Sequence, residues 1–587
     1  MAILKTSTNI KKRLLFQAIS FAARHPVILK MLLPLRGILV KLFYPSARQS
    51  SFDKFETQVN SGIDIVLVQA PAWGVNTPPF ATATLVAYLR ENNVNVMPFD
   101  INIELYHANK DKYAESGRLD VGVFWENPSM VDEFIRENDN IFERCIDSIV
   151  KSGARAIGFT IYGSSYLVSS HLAKRIKEKN SSIIIIFGGP EASRSRRGLE
   201  IISDNMHVDY IVDGEGEITL LEIVRRIKAG EKVEGCQGVF YRKGNTIADG
   251  GERELIKDLD LLPLPDFSDF DFSMYREPFQ IPIASGRGCI NRCIYCDERA
   301  FWKRFRSRSG ESLFNEVTHQ LKKYPNVFFF EFHDSLINGN IKELEKFCDA
   351  VIASGTKIKW SAQAVIRKEM TYDFLLKLRK SGCVSLSYGL ESASSALMSR
   401  VGKNFARNAD VERIIRDGYR AGVCSNLNFM FGLPGETEDE FNETLKFLIR
   451  NKKYITSVNP SQSFCVFSGN TKGYLNPQDY SIDIRKGPMY WESIDGSNNY
   501  IIRMERFEKF VALVHKLGIP CTYPYTRMVN RNENIANYYY HTGEFDKAIP
   551  YFENSLKYES DNKTSRQKLE FCCMKTGKLA GHKATVE

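Results

Sequence analysis

The sequence predicts an α/β protein with a Rossmann-like parallel-sheet domain, then a partial (β/α) barrel of the TIM type, then an α-helical C-terminal region. Short apolar runs alternate with amphipathic helical segments from residue 63 to about residue 470, which is typical of parallel strands joined by crossover helices. Glycine and small polar residues follow several of these apolar runs. Because ligands bind at the carboxyl ends of parallel strands, we expect functional sites there.

The order of these patterns divides the 587 residues into five segments. They are predicted to be a basic amphipathic helical segment (1–60), a Rossmann-like domain (61–255), a linker (256–279), a barrel domain (280–480) and a helical region (481–587). Residues 534–558 of the last segment follow the tetratricopeptide pattern. Since a single repeat lacks the neighbours that bury its faces, we interpret it as a terminal helical hairpin, with a docking element as the alternative.

The first fifty residues contain nine lysine and arginine residues and no acidic residue. The apolar runs between these charges are interrupted too soon to span a membrane, and we find no secretory cleavage pattern. We predict a cytoplasmic protein in which this segment is a helical arm packed on the body. Membrane association by peripheral contact through residues 1–45 is the alternative. The overall composition, 43% hydrophobic and 25% charged, is that of an ordinary globular protein.

Three cysteines, Cys289, Cys293 and Cys296, form a CxxxCxxC pattern directly after a predicted strand. Three thiolates leave one iron of a four-iron cluster open to a small molecule, whereas a structural zinc ion is bound by four protein ligands. Neither a second cysteine pair nor a histidine stands nearby in the sequence to complete a zinc site. The pattern therefore favours a [4Fe-4S] cluster, and a chance trio of buried cysteines is the alternative.

The strand-end loops of the first domain lack the glycine patterns that bind dinucleotides or the phosphates of ATP. In chain order these loops are Pro71–Pro79, Tyr162–Tyr166, Phe187–Glu191 and Asp213–Glu217. This order resembles the cobalamin-binding (B12-binding) domain of the cobalamin-dependent radical S-adenosylmethionine (SAM) enzymes, over about residues 61–230. The resemblance implies that cobalamin binds here and contacts Pro79, Thr160, Ser164, Ser165, Gly188, Gly189 and Glu215.

One position departs from the wider cobalamin fold, in which a DxHxxG motif supplies a histidine to cobalt. The corresponding residues here are Asp100–Leu105, with Asn102 in place of the histidine and Leu105 in place of the glycine. The same departure is usual among radical members of the family. The resemblance therefore implies cobalamin with its nucleotide tail extended into the sheet and no histidine below cobalt.

The barrel segment resembles the radical SAM family over residues 280–440. Tyr295 precedes the last cysteine of the trio, and three further strand-end segments match the family: His333–Ser335, Tyr388–Ser392 and Phe431–Thr437. The resemblance implies that the open iron binds SAM and that Tyr295 lies along its adenine. It also implies that Glu391 or Ser392 binds the ribose or amino group, with helix capping as the alternative role.

Two glycines and two arginines complete the predicted SAM site. Gly432 and Gly435 are expected to let the backbone approach adenine closely, since a glycine has no Cβ. Arg287 and Arg292 adjoin the cysteines and either stabilise negative charge at the cluster or SAM, or remain in solvent. The sequence identifies no catalytic residue beyond these cofactor contacts.

The resemblance implies a cobalamin-dependent C-methyltransferase that acts on an unactivated carbon of a small molecule or lipid, with a flavodoxin- or ferredoxin-type electron donor. Radical rearrangement, cyclisation or oxidation without methyl transfer is the first alternative. A non-catalytic cobalamin or cluster sensor, or a scaffold, is the second. No nucleic-acid partner is expected, because the residues after 471 lack a basic module with interleaved aromatic residues.

Overall fold

The structure of the chain is a computed structural model that describes residues 52, 55–56, 62–110, 122–403, 408–461, 463–467, 469–521, 531–558, 560 and 562–578. The predicted basic segment therefore lies almost wholly outside the described residues. The chain divides into two compact units. The first comprises residues up to 290, 298–363 and 377–384, and the second comprises 291–297, 364–376 and the residues from 385 onward. The boundaries of the five predicted segments remain predictions.

A seven-stranded sheet forms the N-terminal part of the first unit. Its strands are β1 (Ile65–Gln69), β2 (Val96–Asp100), β3 (Ala156–Thr160), β4 (Ile184–Gly188), β5 (Tyr210–Val212), β6 (Val239–Lys243) and β7 (Thr246–Asp249). They lie in the order β2-β1-β3-β4-β5-β6-β7. The first five strands pair in parallel, as the sequence predicts. The antiparallel hairpin β6–β7 at one edge was not predicted.

The helices of this sheet are α1 (Phe80–Glu91), α2 (Ile101–Ala108), α3 (Pro128–Glu137), α4 (Asp139–Lys151), α5 (Tyr166–Lys179), α6 (Gly198–Asp204) and α7 (Gly216–Ala229). Strands β1 and β2 are buried along their whole length, which explains their nearly continuous apolar sequences. One core cluster joins Ile65 of β1, Val86 of α1 and Ile223 of α7. This burial fixes the strand ends, and with them the loops at the carboxyl edge of the sheet.

The barrel strands are β8 (Gln280–Ile283), β9 (Phe329–Phe332), β10 (Lys359–Ala364), β11 (Cys383–Glu391), β12 (Cys424–Phe429) and β13 (Ser457–Pro460). They follow one another in chain order in a six-stranded sheet. The helices between them are α8 (Gly310–Lys323), α9 (Ile341–Ala353), α10 (Tyr372–Lys380), α11 (Ser395–Arg400), α12 (Asn408–Ala421) and α13 (Glu438–Asn451). This alternation confirms the predicted partial (β/α) barrel.

The second unit continues into four helices, α14 (Tyr500–Leu517), α15 (Arg531–His541), α16 (Phe545–Tyr558) and α17 (Lys563–Thr576). Helix α14 begins at Tyr500 because the side chain of Asn499 accepts a hydrogen bond from the backbone N of Ile502. Helices α15 and α16 form the predicted hairpin. Helix α17 adds Cys572 to the same apolar cluster as Ala548 and Phe552, so a third helix covers one face of the hairpin. None of the described helices is long and apolar enough to cross a membrane.

Candidate functional site

The cysteine loop follows β8 and carries its three thiols with partial exposure. Seven of the other nine cysteines are buried, so the trio differs from most cysteines of the chain. Hydrogen bonds within the second unit hold the loop: the backbone N of Ile294 donates to Val401 O at 3.0 Å, and Gly473 N donates to Ile294 O at 2.9 Å. Among the described residues no three acidic, histidine or cysteine side chains converge to hold a single metal ion. The three cysteines of a four-iron cluster need not reach the same metal ion, because each cysteine binds a different iron.

Glu391 ends β11 at a bulge, with a left-handed backbone conformation (φ +61°). One of its carboxylate oxygens lies 2.7 Å from Lys403 Nζ, and the two side chains are only 12% and 9% exposed. A Cβ on Gly389 would lie 2.7 Å from the Glu391 carboxylate and 2.8 Å from the Lys403 ammonium, so glycine leaves the space for this ion pair. Ser392 is turned into the interior instead. Its hydroxyl lies 3.1 Å from the Thr444 hydroxyl and accepts a hydrogen bond from Ser394 N, whereas the N-cap of α11 is Ser394 itself, whose side chain accepts from Leu397 N.

Tyr295 packs against a buried cluster that includes Leu433 and Cys465. Burial raises the pKa of its phenol, and the negative charges of Glu391 and Cys293 act in the same direction. Tyr295 therefore remains a neutral aromatic ring in the same unit as Glu391. Leu433 belongs to the predicted adenine turn, so the ring and the turn share one apolar cluster.

The turn Gly432–Gly435 has two left-handed residues, with φ +68° at Gly432 and +72° at Gly435. Gly432 N donates to the buried Glu436 carboxylate at 2.7 Å. Asn498, just before α14, donates its amide to Gly432 O at 3.0 Å, and Arg506 of α14 donates to Glu436 at 3.0 Å. Neither of these supports was predicted from the sequence, since neither follows a strand end.

The loop Pro71–Pro79 of the first domain is held by Asn102, the residue in place of histidine. Its side chain accepts from the backbone N of Trp73 and donates to Trp73 O, both at 3.2 Å. The Trp73 ring stacks on Tyr162 with centroids 4.1 Å apart. The Ser164 hydroxyl donates to Ala72 O at 2.8 Å. Two of the predicted loops are therefore bonded to each other at the carboxyl edge of the sheet.

The remaining predicted cobalamin contacts lie along the same edge. Thr160 and Gly188 end β3 and β4 next to each other in register. Gly189 has φ +95°, and a Cβ there would lie 3.0 Å from both the N and the O of Ile161, so the structure accepts only glycine without adjustment. Pro79 immediately precedes α1. The Ser165 hydroxyl accepts from Tyr162 N at 3.0 Å and shapes the loop.

Glu215 is buried in an ion-pair cluster rather than free for a ligand. It lies 2.5 Å from Arg287 and 2.9 Å from Arg306, and it also accepts from Ile256 N at 2.8 Å. Burial alone would raise the pKa of Glu215, but the two arginines outweigh burial and lower it. Arg287 also pairs with Glu217. Arg287 was predicted either to stabilise charge at the cluster or SAM or to remain in solvent. The structure corrects this prediction, because Arg287 is paired with Glu215 and Glu217.

A contact within the first unit joins the two predicted cofactor regions. Phe80, which follows the loop Pro71–Pro79, lies with its ring centroid 6.5 Å from that of His333 after β9. His333 in turn lies 3.4 Å from the Glu331 carboxylate. His333 belongs to one of the predicted strand-end segments, whereas its proximity to Phe80 had no sequence signal. Lys403 was missed as well, because it lies outside every strand-end motif.

Two family models match the chain. Residues 283–448 match the radical SAM superfamily, and residues 128–224 match the B12 binding domain. The chain contains a B12-binding domain followed by a radical SAM domain. Its cofactors are accordingly a [4Fe-4S] cluster, SAM and cobalamin.

Curated relatives of this radical SAM protein include an uncharacterized methyltransferase of Pyrococcus horikoshii. It is 25% identical over 313 residues, which are 53% of this chain and 67% of that protein. An anaerobic magnesium-protoporphyrin IX monomethyl ester cyclase of Cereibacter sphaeroides is 26% identical over 302 residues, 49% of this chain and 48% of that protein. The chain thus spans about half to two thirds of the length of these relatives.

Solved structures share the fold. The radical SAM methyltransferase TsrM from Kitasatospora setae, with tryptophan and a SAM analog bound, has a TM-score of 0.58 at 15% identity, covering 82% of this chain and 95% of that chain. The cobalamin-dependent radical enzyme OxsB, with aqua-cobalamin and SAM bound, has a TM-score of 0.52 at 16% identity, covering 88% and 71%.

The described residues of this radical SAM protein fit its cofactors. The trio provides thiols with partial exposure, as a cluster with one open iron requires. The left-handed Gly189 keeps the carboxyl edge free of a side chain at the point where a cobalamin tail would enter. At the DxHxxG position Asn102 carries an amide instead of an imidazole, and this amide is engaged by the Trp73 backbone.

Proposed function

We propose that this radical SAM protein methylates an unactivated carbon of a small molecule or lipid. The observation that carries the proposal is the contact between Phe80 and His333 within the first unit. It brings the loop Pro71–Pro79, which would border cobalamin, close to the end of β9. This barrel strand comes after β8, the strand that precedes the cysteine loop. A substrate bound at this strand end would lie beside the loop that borders the methyl donor.

Cys289, Cys293 and Cys296 are the proposed cluster ligands. When bound, the cluster and SAM supply a 5′-deoxyadenosyl radical and cobalamin supplies the methyl group. Tyr295 would orient the adenine, Gly432 and Gly435 would leave it room, and the carboxylate oxygen of Glu391 that Lys403 does not hold would accept from the ribose or amino group of SAM. We assign no such contact to the Ser392 hydroxyl, because it is already engaged with Thr444.

The proposed cobalamin site is the carboxyl edge of the seven-stranded sheet. Pro79, Thr160, Gly188 and Gly189 are its proposed direct contacts. Ser164, Ser165 and Glu215 would act mainly by holding the edge in shape, because their side chains are engaged within the protein. The electron donor is proposed to be a flavodoxin- or ferredoxin-type protein.

Radical cyclisation is the second candidate function, and the cyclases among the curated relatives favour it. The two candidates differ in what they make from SAM. Methyl transfer through cobalamin releases S-adenosylhomocysteine as well as 5′-deoxyadenosine. Cyclisation without methyl transfer releases only 5′-deoxyadenosine.

The test uses the full chain, reconstituted anaerobically with iron, sulfide and hydroxocobalamin, then reduced and given SAM with a deuterated methyl group. We expect a four-iron signal, both SAM products and labelled methyl on the bound cobalamin. Production of 5′-deoxyadenosine alone would favour the cyclisation candidate.

Two substitutions test the assignment of the cysteine trio as cluster ligands. Cys293→Ala should abolish 5′-deoxyadenosine formation, because an iron loses its ligand. Cys424→Ala, at a partly exposed cysteine outside the loop, should leave it unchanged. Intact turnover by Cys293→Ala would contradict the assignment.

A further inference from the structure

A buried lysine follows the segment that holds the cysteine loop. Ile294 N and Arg292 N donate to Val401 O and Gly402 O, at 3.0 and 3.4 Å, and Lys403 comes directly after these acceptors. A Cβ on Gly402 would lie 2.6 Å from Arg292 O, so the two backbones are in close contact. Lys403 is only 9% exposed, and its ammonium lies 2.7 Å from the Glu391 carboxylate. A positive charge is thus held in the interior beside the loop.

Lys403 directly follows the two residues whose carbonyls bond Arg292 N and Ile294 N, on either side of Cys293. The Glu391 carboxylate offsets the cost of burying the ammonium and raises the pKa of Lys403. Coulombic attraction is reciprocal, so a buried ammonium beside the loop stabilises negative charge on the cluster that the loop would hold. Charges out of contact with water interact more strongly than exposed ones, because little solvent screens them.

We propose that Lys403 tunes the reduction potential of the cluster by stabilising the negative charge added on reduction. The proposal rests on the proposed cluster ligation by the cysteine trio. In the step concerned, one electron passes from an external one-electron donor to the cluster, which gains one negative charge. No bond forms or breaks, and Lys403 keeps its proton. Net charge near a cluster is one of the factors that set its potential, so a fixed buried cation raises it.

Glu391 acts on the reduction potential of the cluster in the opposite direction to Lys403. Its carboxylate holds Lys403 in place and also places a negative charge in the same interior region. The potential therefore depends on the pair, and the two neutralising variants should move it with opposite signs. A merely structural role for the pair would not produce opposite shifts.

The test is a redox titration of the reconstituted full chain without SAM, followed by the electron paramagnetic resonance signal of the reduced cluster. For Lys403→Met we expect the equilibrium constant for one-electron reduction to fall about tenfold, which is about 59 mV toward more negative potential. Glu391→Gln should shift the potential to more positive values, and Lys403→Arg should stay near the wild type. Lys472→Met is the matched control: this exposed lysine precedes Gly473, which also bonds the cysteine loop, and water screens its charge.

The outcomes separate two failures. Absence of a four-iron signal in the reconstituted wild type would overturn the cluster assignment and, with it, this proposal. A normal signal in Lys403→Met at the wild-type potential would overturn the role of Lys403 alone. If Lys403→Met fails to retain iron, Glu391→Gln decides: a positive shift supports the proposal, and an unchanged or negative shift overturns it.

Discussion

Glycines mark the places where the backbone or a cofactor occupies the space that a side chain would need. Gly189 combines φ +95° with atoms of Ile161 at 3.0 Å from its missing Cβ. Gly432 combines φ +68° with an Arg503 side chain that occupies the space a Cβ would need. Both positions were predicted from the sequence, because each glycine follows an apolar run that ends a parallel strand. At such positions the sequence is informative, since the turn itself demands the residue type.

Gly189→Ala should weaken cobalamin binding by about tenfold or more. A left-handed alanine costs roughly 1–2 kcal/mol, and close contact with Ile161 adds to this at the edge where cobalamin would bind. Gly230→Ala is the control, since it has φ +70° but no atom within 4 Å of its Cβ position. The measurement is the cobalamin absorbance retained after desalting. Equal retention by the two variants would contradict a cofactor role for Gly189.

Side-chain partners were harder to predict than glycines. The sequence left Glu391 and Ser392 as alternatives, and only the bulge at the end of β11 turns one carboxylate toward Lys403 while Ser392 faces Thr444. A bulge depends on strand pairing rather than on a local pattern. Nothing in the residues around 403 indicates that this lysine is buried.

Among the elements, α14 has the clearest effect on the site, because it holds the turn that would accommodate adenine. Arg506 of this helix pairs with Glu436, and both side chains are at most 4% exposed. Burial raises the pKa of Glu436 to about 7, although Arg506 opposes this shift. The sequence predicted the helix from its amphipathic pattern, but an amphipathic pattern does not show which turn the helix contacts.

Arg506→Met should destabilise the second unit by about 3–5 kcal/mol and weaken SAM binding, because it leaves a buried carboxylate without its partner. The loss should be larger at pH 8 than at pH 6. A raised folded-state pKa means that stability falls as pH rises from the unfolded toward the folded pKa of Glu436. Arg506 holds this folded pKa down, so without it the variant goes on losing stability above pH 7, where the wild type no longer does. Thermal unfolding and SAM titration at both pH values measure the effect. Arg506→Met with Glu436→Gln should recover part of the stability, and no recovery would contradict the pairing.

In the first unit an electrostatic link joins the two family domains. Glu215, before α7 of the cobalamin-type domain, pairs with Arg287 and Arg306 on either side of the cysteine loop in sequence. Arg287 and Arg306 lie 72 and 91 residues from Glu215 along the chain. The sequence could predict each domain from its own periodicity and turns, since those depend on neighbouring residues. It could not predict this link, and it therefore assigned Glu215 to cobalamin.

If this link couples the domains, filling the cobalamin site should protect the segment that delivers the cluster ligands. A ligand stabilises the folded state it binds, and a rigid ion pair passes part of that stabilisation to its partners. Hydroxocobalamin should therefore slow iron loss from the wild type under a chelator, and this protection should shrink severalfold in Glu215→Gln. Glu222→Gln, in the helix that Glu215 precedes, is the matched control, because Glu222 pairs with Arg226 and Arg253 instead. Equal protection in all three proteins would show that the domains load their cofactors independently, and the buried charges of Glu215 would then serve only the local packing of the first unit.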